Sequence, residues 1–163
     1  MVMVTAPRIH ISAETLDGKE RDTLRLTWEE RRWTRRRVTT TSGREVALAL
    51  PTGSVLQPGA IVAVQDAWYL AIEGCPEAVL AIDARDRVEA IKLAFEVGNR
   101  HFPLAVDGER LIVLDDGAME QLFVRLGAQW ERRQIVFDPL LAGHGHGQVT
   151  SAIDGHSHHR TRS

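Results

Sequence analysis

The stretch Gly98-Asn99-Arg100-His101-Phe102-Pro103-Leu104 marks the end of a helical pattern and the start of a strand. Before it, apolar side chains recur at helical spacing from residue 86 to residue 97. Gly98-Asn99 is a typical C-terminal stop for a helix, and Pro103 is suited to the first position of a strand. The stretch also contains His101, the only histidine in the middle of the chain. We therefore take this stretch as the starting point for predicting both the fold and the candidate site.

The sequence around this stretch predicts alternating strands and helices. A strand at 78–82 precedes the helix, and two strands joined by the Asp107-Gly108 turn follow it. A second helix at 116–127 and a last strand at 129–137 complete the pattern. This βαββαβ order is that of a ferredoxin-like domain, an antiparallel sheet with two helices on one face. We place this domain at residues 75–138.

Residues 1–74 predict an all-β N-terminal domain. Short β-branched segments, among them Ile9-His10-Ile11 and 23–27, are separated by turn residues. A hairpin over 35–50 turns at Gly43, a residue free to adopt positive φ. The fold class is therefore α+β, and we expect the N-terminal domain to bind a partner or a peptide.

The composition of the chain limits which classes of partner and which cellular compartment we expect. The chain has 163 residues, of which 44% are apolar and 26% charged, an ordinary globular balance. A net charge of −2 disfavours nucleic acid and anionic membranes, because both bind through an excess of Lys and Arg. A single cysteine, an N-terminus unlike a signal peptide and the lack of a long apolar run predict a soluble cytoplasmic protein.

The run Arg31-Arg32-Trp33-Thr34-Arg35-Arg36-Arg37 allows two interpretations. Aromatic residues among arginines can stack on bases while the guanidinium groups contact phosphates. Alternatively the run is a solvated or partner-docking strand with arginines on opposite faces, and Glu29 and Glu30 offset part of its charge. The charge of the whole chain favours the second interpretation.

The distribution of histidines indicates a transition-metal site, because neutral imidazole is the commonest metal ligand in proteins. His101 lies in the folded centre, and five more histidines fall in the last 20 residues: His144, His146, His156, His158 and His159. Glycine and polar residues dominate the tail, residues 139–163, so we expect it to be disordered. His101 could instead be a capping or core histidine, and the tail could be a purification tag, although tags are normally unbroken runs.

One imidazole binds a divalent ion weakly, so His101 needs further ligands. A two-fold dimer would bring the same residue from both protomers together. The i, i+2 spacing of His144 with His146, and of His156 with His158, lets an extended tail present two imidazoles on one side. We therefore expect a homodimer with an interchain metal site that the tail histidines complete.

Enzyme motifs are lacking. The sequence has no Ser/His/Asp or Cys/His order in a nucleophile context, no phosphate-binding glycine-rich loop and no HExxH motif. Asp115 and Asp116 are best explained as the start of a helix, where carboxylates favour the N-terminal dipole. We expect a protein that is not an enzyme.

The residues also resemble a known family. Residues 98–104, preceded by Ala94-Phe95 and followed by Gly108-Glu109-Arg110-Leu111, are similar to the GNRHxPL signature of UreE-type urease accessory proteins. Residues 43–53 resemble that family's GRE-x-x-L-x-LPRG stretch, and residues 75–80 resemble its APE-x-VL stretch. Some members have a histidine where this chain has Glu96.

The resemblance implies a nickel metallochaperone that dimerises through its C-terminal domain and holds Ni(II) at the interface by His101. It also implies delivery to apo-urease through the accessory GTPase and the urease pre-activation complex. A general store or buffer of divalent metals is the alternative, because imidazole also binds Zn(II) and Cu(II) in vitro. An adaptor that acts only through its arginine-rich β domain is a third.

Overall fold

The computed structural model describes residues 1–141, whose first half consists of two three-stranded sheets. One sheet has the order β1-β4-β3 and the other the order β2-β6-β5. The elements are β1 (Val2–Val4), α1 (Ala13–Leu16), β2 (Glu20–Leu26), a 3₁₀ turn (Glu30–Arg32), β3 (Arg35–Thr39), β4 (Glu45–Ala49), β5 (Ile61–Val64) and β6 (Trp68–Gly74).

Alternating side chains build the core of this half. In β4, Val46 and Leu48 are buried while Glu45 and Ala49 are exposed, as expected for a strand with one face on a core. The predicted hairpin is confirmed, because β3 pairs antiparallel with β4 and Gly43 has φ 87°.

Two predictions for this half are wrong in part. Residues 9–11 form no strand, although the Ile9 N–H donates to the Ile61 carbonyl at 2.7 Å. The all-β expectation also misses two helical segments, α1 and the 3₁₀ turn Glu30–Arg32. The 3₁₀ turn follows a capping box, since the Thr27 N–H donates to the Glu30 carboxylate at 2.8 Å and the Glu30 N–H to Thr27 Oγ1 at 3.3 Å.

The arginine run is consequently not one strand. Arg31 and Arg32 lie in the 3₁₀ turn, and the strand begins only at Arg35. Within β3, Arg36 lies opposite the buried Leu48, and its guanidinium carbon is 4.1 Å from the centre of the Trp33 ring. The guanidinium of Arg36 therefore stacks on the Trp33 ring.

The second half has the element order βαββαβ. Its elements are β7 (Pro76–Asp83), α2 (Arg87–Asn99), β8 (Ala105–Asp107), β9 (Arg110–Leu114), α3 (Gly117–Leu126) and β10 (Gln129–Val136). The strands form one antiparallel sheet in the order β10-β7-β9-β8. With the first half this confirms an α+β fold.

The sheet of the second half is covered on both faces. Leu80 and Ile82 of β7 pack with Leu93 and Val97 of α2 and with a buried group from α3: Met119, Leu122 and Phe123. On the other face, Val79, Ala81 and Ile112 pack against Trp28 and Phe137. Because Trp28 belongs to the first half, the sheet's second face is buried against that half.

Close contacts join the halves at their junction. A Cβ on Gly74 would collide with the Val136 side chain, so the end of β6 packs directly on the end of β10. The Trp28 N–H donates to the Glu77 carboxylate at 2.7 Å. These contacts place residues 137–141, which follow β10, along the boundary between the halves.

Candidate metal centre

His101 lies at the C-terminal end of α2 in an uncommon backbone conformation. It is the only non-glycine residue with positive φ among residues 1–141, at 59°. The His101 N–H donates to the Gly98 carbonyl at 2.9 Å and the Phe102 N–H to the Val97 carbonyl at 3.4 Å. This pair of bonds is a Schellman motif, and His101 occupies the left-handed position that glycine usually takes.

The predicted helix stop is therefore displaced. Gly98 and Asn99 both lie within α2, and the helix is capped at Arg100. Gly98 is exposed, and a Cβ added to it would have no atom within 4 Å in this chain. Its backbone conformation thus does not require glycine, and nor does packing within the protomer.

The His101 side chain is exposed and borders a groove between the two halves. The groove is lined by residues of both halves and by the last described residues, among them Trp28, Arg32, Trp33, Leu104, Leu140 and Leu141. Glu96, one turn before the end of α2, is paired with Arg100 at 2.6 Å. Within residues 1–141, no three His, Cys, Asp or Glu side chains form a group that could hold a metal.

The tail histidines His144, His146, His156, His158 and His159 lie outside the described residues. The structure nevertheless defines where the tail begins. The Leu140 N–H donates to the carbonyl of Leu104 at 2.8 Å, and Leu104 follows His101 by three residues in the chain. The tail therefore starts in the groove that His101 borders.

An ion pair of the buried Arg31 with the half-exposed Asp138 holds the segment that leads to the tail. Arg31 is fully buried; its Nη2 donates to the Phe137 carbonyl and its Nη1 to Asp138 Oδ1 at 3.2 Å. Phe137 is also buried, with its ring edge-on to Trp28 at 6.1 Å between centres. The sequence did not predict that Arg31 is buried and bonded to Phe137 and Asp138, because these partners lie more than 100 residues further along the chain.

α2 also presents an apolar stripe that nothing in the described chain covers. Val88, Ile91 and Phe95 are each about 60% exposed, whereas Leu93 and Val97 supply the buried face. The exposed side chains follow a 3, 4 spacing that continues to Gly98. The stripe thus ends one turn before His101.

The carboxylates at the start of α3 have the structural role that the sequence predicted. The Asp116 side chain accepts hydrogen bonds from the N–H groups of Ala118 at 2.8 Å and Met119 at 3.2 Å. Asp115 pairs with Arg132 at 3.1 Å. Both carboxylates are therefore used in capping or ion pairing.

Comparisons with known proteins cover both halves. Residues 6–73 match the model of the UreE urease accessory protein, N-terminal domain, and residues 77–163 match that of its C-terminal domain. The Urease accessory protein UreE of Synechococcus sp. (strain JA-3-3Ab) is 41% identical over 76% of this chain and 83% of its own length. The protein of the same name from Paraburkholderia xenovorans (strain LB400) is 33% identical over 85% of this chain.

The match spans 61% of the Paraburkholderia protein's length, so less than two thirds of that relative is represented. For the protein of the same name from Ralstonia nicotianae, which is 34% identical over 69% of this chain, the match spans 54% of its length.

The helices of residues 1–141 include none that could span a membrane.

Proposed function

The chain belongs to the UreE family of urease accessory proteins, and on this premise we propose that it binds Ni(II) and delivers it for assembly of the urease metallocentre. It acts as a carrier rather than an enzyme. His101 is the primary ligand, shared between two protomers, and the tail histidines are auxiliary ligands.

The conformation of His101 is the observation that carries this proposal. A left-handed backbone costs a residue with a side chain roughly 1–2 kcal/mol, and glycine would adopt it freely. An imidazole kept there, exposed and outside the core, is better explained by what its side chain binds than by packing. This argument disfavours the alternative of a core histidine.

The apolar stripe of α2 supports a homodimer. Val88, Ile91 and Phe95 would be buried by the same stripe of a second copy, as a two-fold interface requires. Gly98, with open space around its α-carbon, lets the two helices approach closely at the end nearest His101. The two His101 side chains would then meet near the axis.

The start of the tail supports its auxiliary role. Three residues lie between Leu140 and His144, and the four steps from one to the other span at most about 14 Å. Leu140 is bonded to Leu104, so the first tail histidines are within reach of the groove that His101 borders.

Domain roles and partners complete the proposal. Residues 75–138 form a ferredoxin-like metal-binding and dimerisation domain, for which the strand order β10-β7-β9-β8 is supporting evidence. Residues 1–74 bind a partner, and residues 139–163 are the metal-binding tail. The partners are the urease accessory GTPase and the urease pre-activation complex, in the cytoplasm, and not nucleic acid or membrane.

Calorimetric titration with nickel tests the proposal on three full-length proteins: the wild type, His101→Ala, and a variant with all five tail histidines changed to alanine. We expect His101→Ala to weaken the tightest site at least tenfold, which is about 1.4 kcal/mol, and the tail variant to weaken binding less. An unchanged tight site in His101→Ala would refute the central role of His101.

A general store of divalent metals is the second candidate, because ligand sets of imidazoles follow the Irving–Williams order. Zn(II) and Cu(II) titrations of the same proteins address it. Loss of most binding sites in the tail variant, with His101→Ala almost unaffected, would favour storage. Nickel-dependent activation of apo-urease by the wild type, abolished in His101→Ala, would favour delivery.

A further inference from the structure

The arginines of the run at 31–37 differ in how their charge is used. Arg31 is buried and paired with Asp138. The other members are exposed and take part in no ion pair within residues 1–141: Arg32, Arg35, Arg36 and Arg37. Because the whole chain has a net charge of −2, this cluster is a local excess of positive charge.

Three of the exposed arginines lie in β3, which is an edge strand. Its sheet has the order β1-β4-β3, and among the described residues only β4 pairs with β3. At one end of the pair the Leu50 N–H donates to the Thr34 carbonyl at 2.7 Å, and at the other the Thr40 N–H donates to the Arg44 carbonyl at 2.9 Å. Because hydrogen-bonded pairs alternate in an antiparallel ladder, the even-numbered residues of β3 bond to β4.

The odd-numbered residues of β3 direct their backbone groups away from β4. These residues are Arg35, Arg37 and Thr39; all three are exposed, and their outward N–H and C=O groups have no backbone partner in the part of the chain that the structure describes. Such an edge can accept a further strand from another chain. A second copy of β3 is disfavoured there, because its arginines would lie opposite these arginines.

The side chains of β3 favour an acidic strand. Arg35 lies opposite Ala49, and Arg37 lies opposite Ala47, so the paired positions on β4 carry no charge. Side chains of a strand alternate between faces, so an added strand would place every second residue beside Arg35 and Arg37. Carboxylates at those positions would form charge-assisted hydrogen bonds with the guanidinium groups.

We propose that the outer edge of β3 is a docking site for an acidic, extended segment of a partner protein, which adds to the sheet beside Arg35 and Arg37. The inference rests on the proposed function in one respect, that residues 1–74 bind a partner, and it does not depend on nickel. The free backbone groups supply affinity, and the two arginines select carboxylates two residues apart. A nucleic acid would leave those backbone groups without strand partners.

Three labelled synthetic peptides test the proposal against the full-length protein by fluorescence anisotropy. The first alternates Glu with Thr or Val over about eight residues, the length of an ordinary strand. The second has Gln at every Glu position, and the third is the acidic peptide with its Glu nitrogens methylated. We expect the second and third to bind at least tenfold more weakly, because one lacks charge and the other lacks the donors that face β3. Absence of binding by the first peptide, or equal binding by the third, would overturn the proposal.

A charge-matched pair of variants locates the site. The β3 variant combines Arg35→Gln with Arg37→Gln, and the control combines Arg21→Gln with Arg125→Gln, two exposed arginines without an ion pair in residues 1–141. We expect the β3 variant to bind the acidic peptide about fivefold or more weakly, and the control to change less than about twofold. Equal weakening in both variants would show that net charge alone attracts the peptide.

Amide hydrogen exchange identifies the edge that the peptide occupies. We expect the amides of Arg37 and Thr39 to exchange at least tenfold more slowly with saturating acidic peptide. The amides of Arg36 and Val38, which bond to β4, should change little. Unchanged exchange at Arg37 and Thr39 would contradict strand addition.

Two further measurements separate the alternatives. A single-stranded oligouridylate that binds more tightly than the acidic peptide, and loses affinity in the β3 variant, would overturn the proposal in favour of nucleic acid. Nickel titration distinguishes the metal site from the docking site: the β3 variant should keep the nickel affinity of the wild type. Failure of the acidic peptide to bind a protein with an intact nickel site refutes only the docking proposal, whereas a tight nickel site in His101→Ala refutes only the role of His101.

Discussion

The Phe102 N–H donates to the Val97 carbonyl at 3.4 Å across the end of α2, and this bond closes the turn that holds His101 at φ 59°. Phe102 and Val97 also belong to the same apolar cluster, so the turn is supported by packing. The candidate ligand therefore lies in a turn whose geometry does not depend on its side chain.

The variant His101→Gly distinguishes the role of His101 as a metal ligand from any role of its side chain in stabilising the fold. Because glycine adopts positive φ without strain, we expect this variant to be as stable as the wild type or up to about 1 kcal/mol more stable. It should lose the tight nickel site. Urea unfolding and nickel titration check the two expectations.

His101→Ala is the matched control, since alanine lacks the imidazole but meets the left-handed strain. It should be about 1 kcal/mol less stable than His101→Gly. A loss of more than 1 kcal/mol in His101→Gly would indicate that the imidazole stabilises the fold by packing.

Leu140→Pro removes the amide that bonds Leu104. We expect weaker nickel binding, by about threefold to tenfold, with little change in the unfolding midpoint, because the bond is a single one at an exposed residue. Calorimetry and thermal unfolding measure these effects. Leu141→Pro is the control, and an equal loss in both variants would show that chain stiffness, not this bond, matters.

Phe95→Asp places a charge in the middle of the apolar stripe of α2. We expect the wild type to sediment as a dimer and the variant, at the same concentration, as a monomer, because an unpaired buried charge is strongly unfavourable at an interface. Analytical ultracentrifugation gives the masses.

Val124→Asp is the matched control, because Val124 on α3 is as exposed as Phe95, 65% in each case. It should remain a dimer. Dimers of Phe95→Asp, or monomers of both variants, would exclude α2 as the specific interface.

Asp22 should contribute to the acid sensitivity of the fold. Burial raises the pKa of this carboxyl, but hydrogen bonds from Ser42, Thr40, Arg44 and the Thr23 N–H outweigh it and hold the pKa well below its usual range. A carboxyl with a lowered folded-state pKa stabilises the protein above its unfolded pKa of about 4, and this contribution is lost as the pH falls below that value.

Asp22→Asn should therefore cost about 1–3 kcal/mol near pH 7 and flatten the loss of stability between pH 5 and pH 2. Urea unfolding across this pH range measures both effects. Asp17→Asn, at an exposed position, is the control. If Asp22→Asn and the wild type lost stability in parallel on acidification, the carboxylate network would not be the cause.

Local signals in the sequence determined much of this protein. Short-range capping, turn chemistry and periodicity predict the Ser42-Gly43 turn, the start of α3 at Asp116 and the sequential order of helices and strands from residue 75 onward. The histidine pattern likewise identified His101 as a candidate ligand. These features depend on neighbours within a few residues, which a single sequence displays directly.

Only the tertiary structure decided which surfaces are buried and what lies beside His101. α2 has two apolar faces, and packing on β7 selects Leu93 and Val97 while Phe95 remains exposed. The bonds of Arg31 to Phe137 and Asp138 join residues 106 and 107 positions apart. Burial and such distant contacts arise from how whole elements pack, so no local pattern in the sequence could predict them.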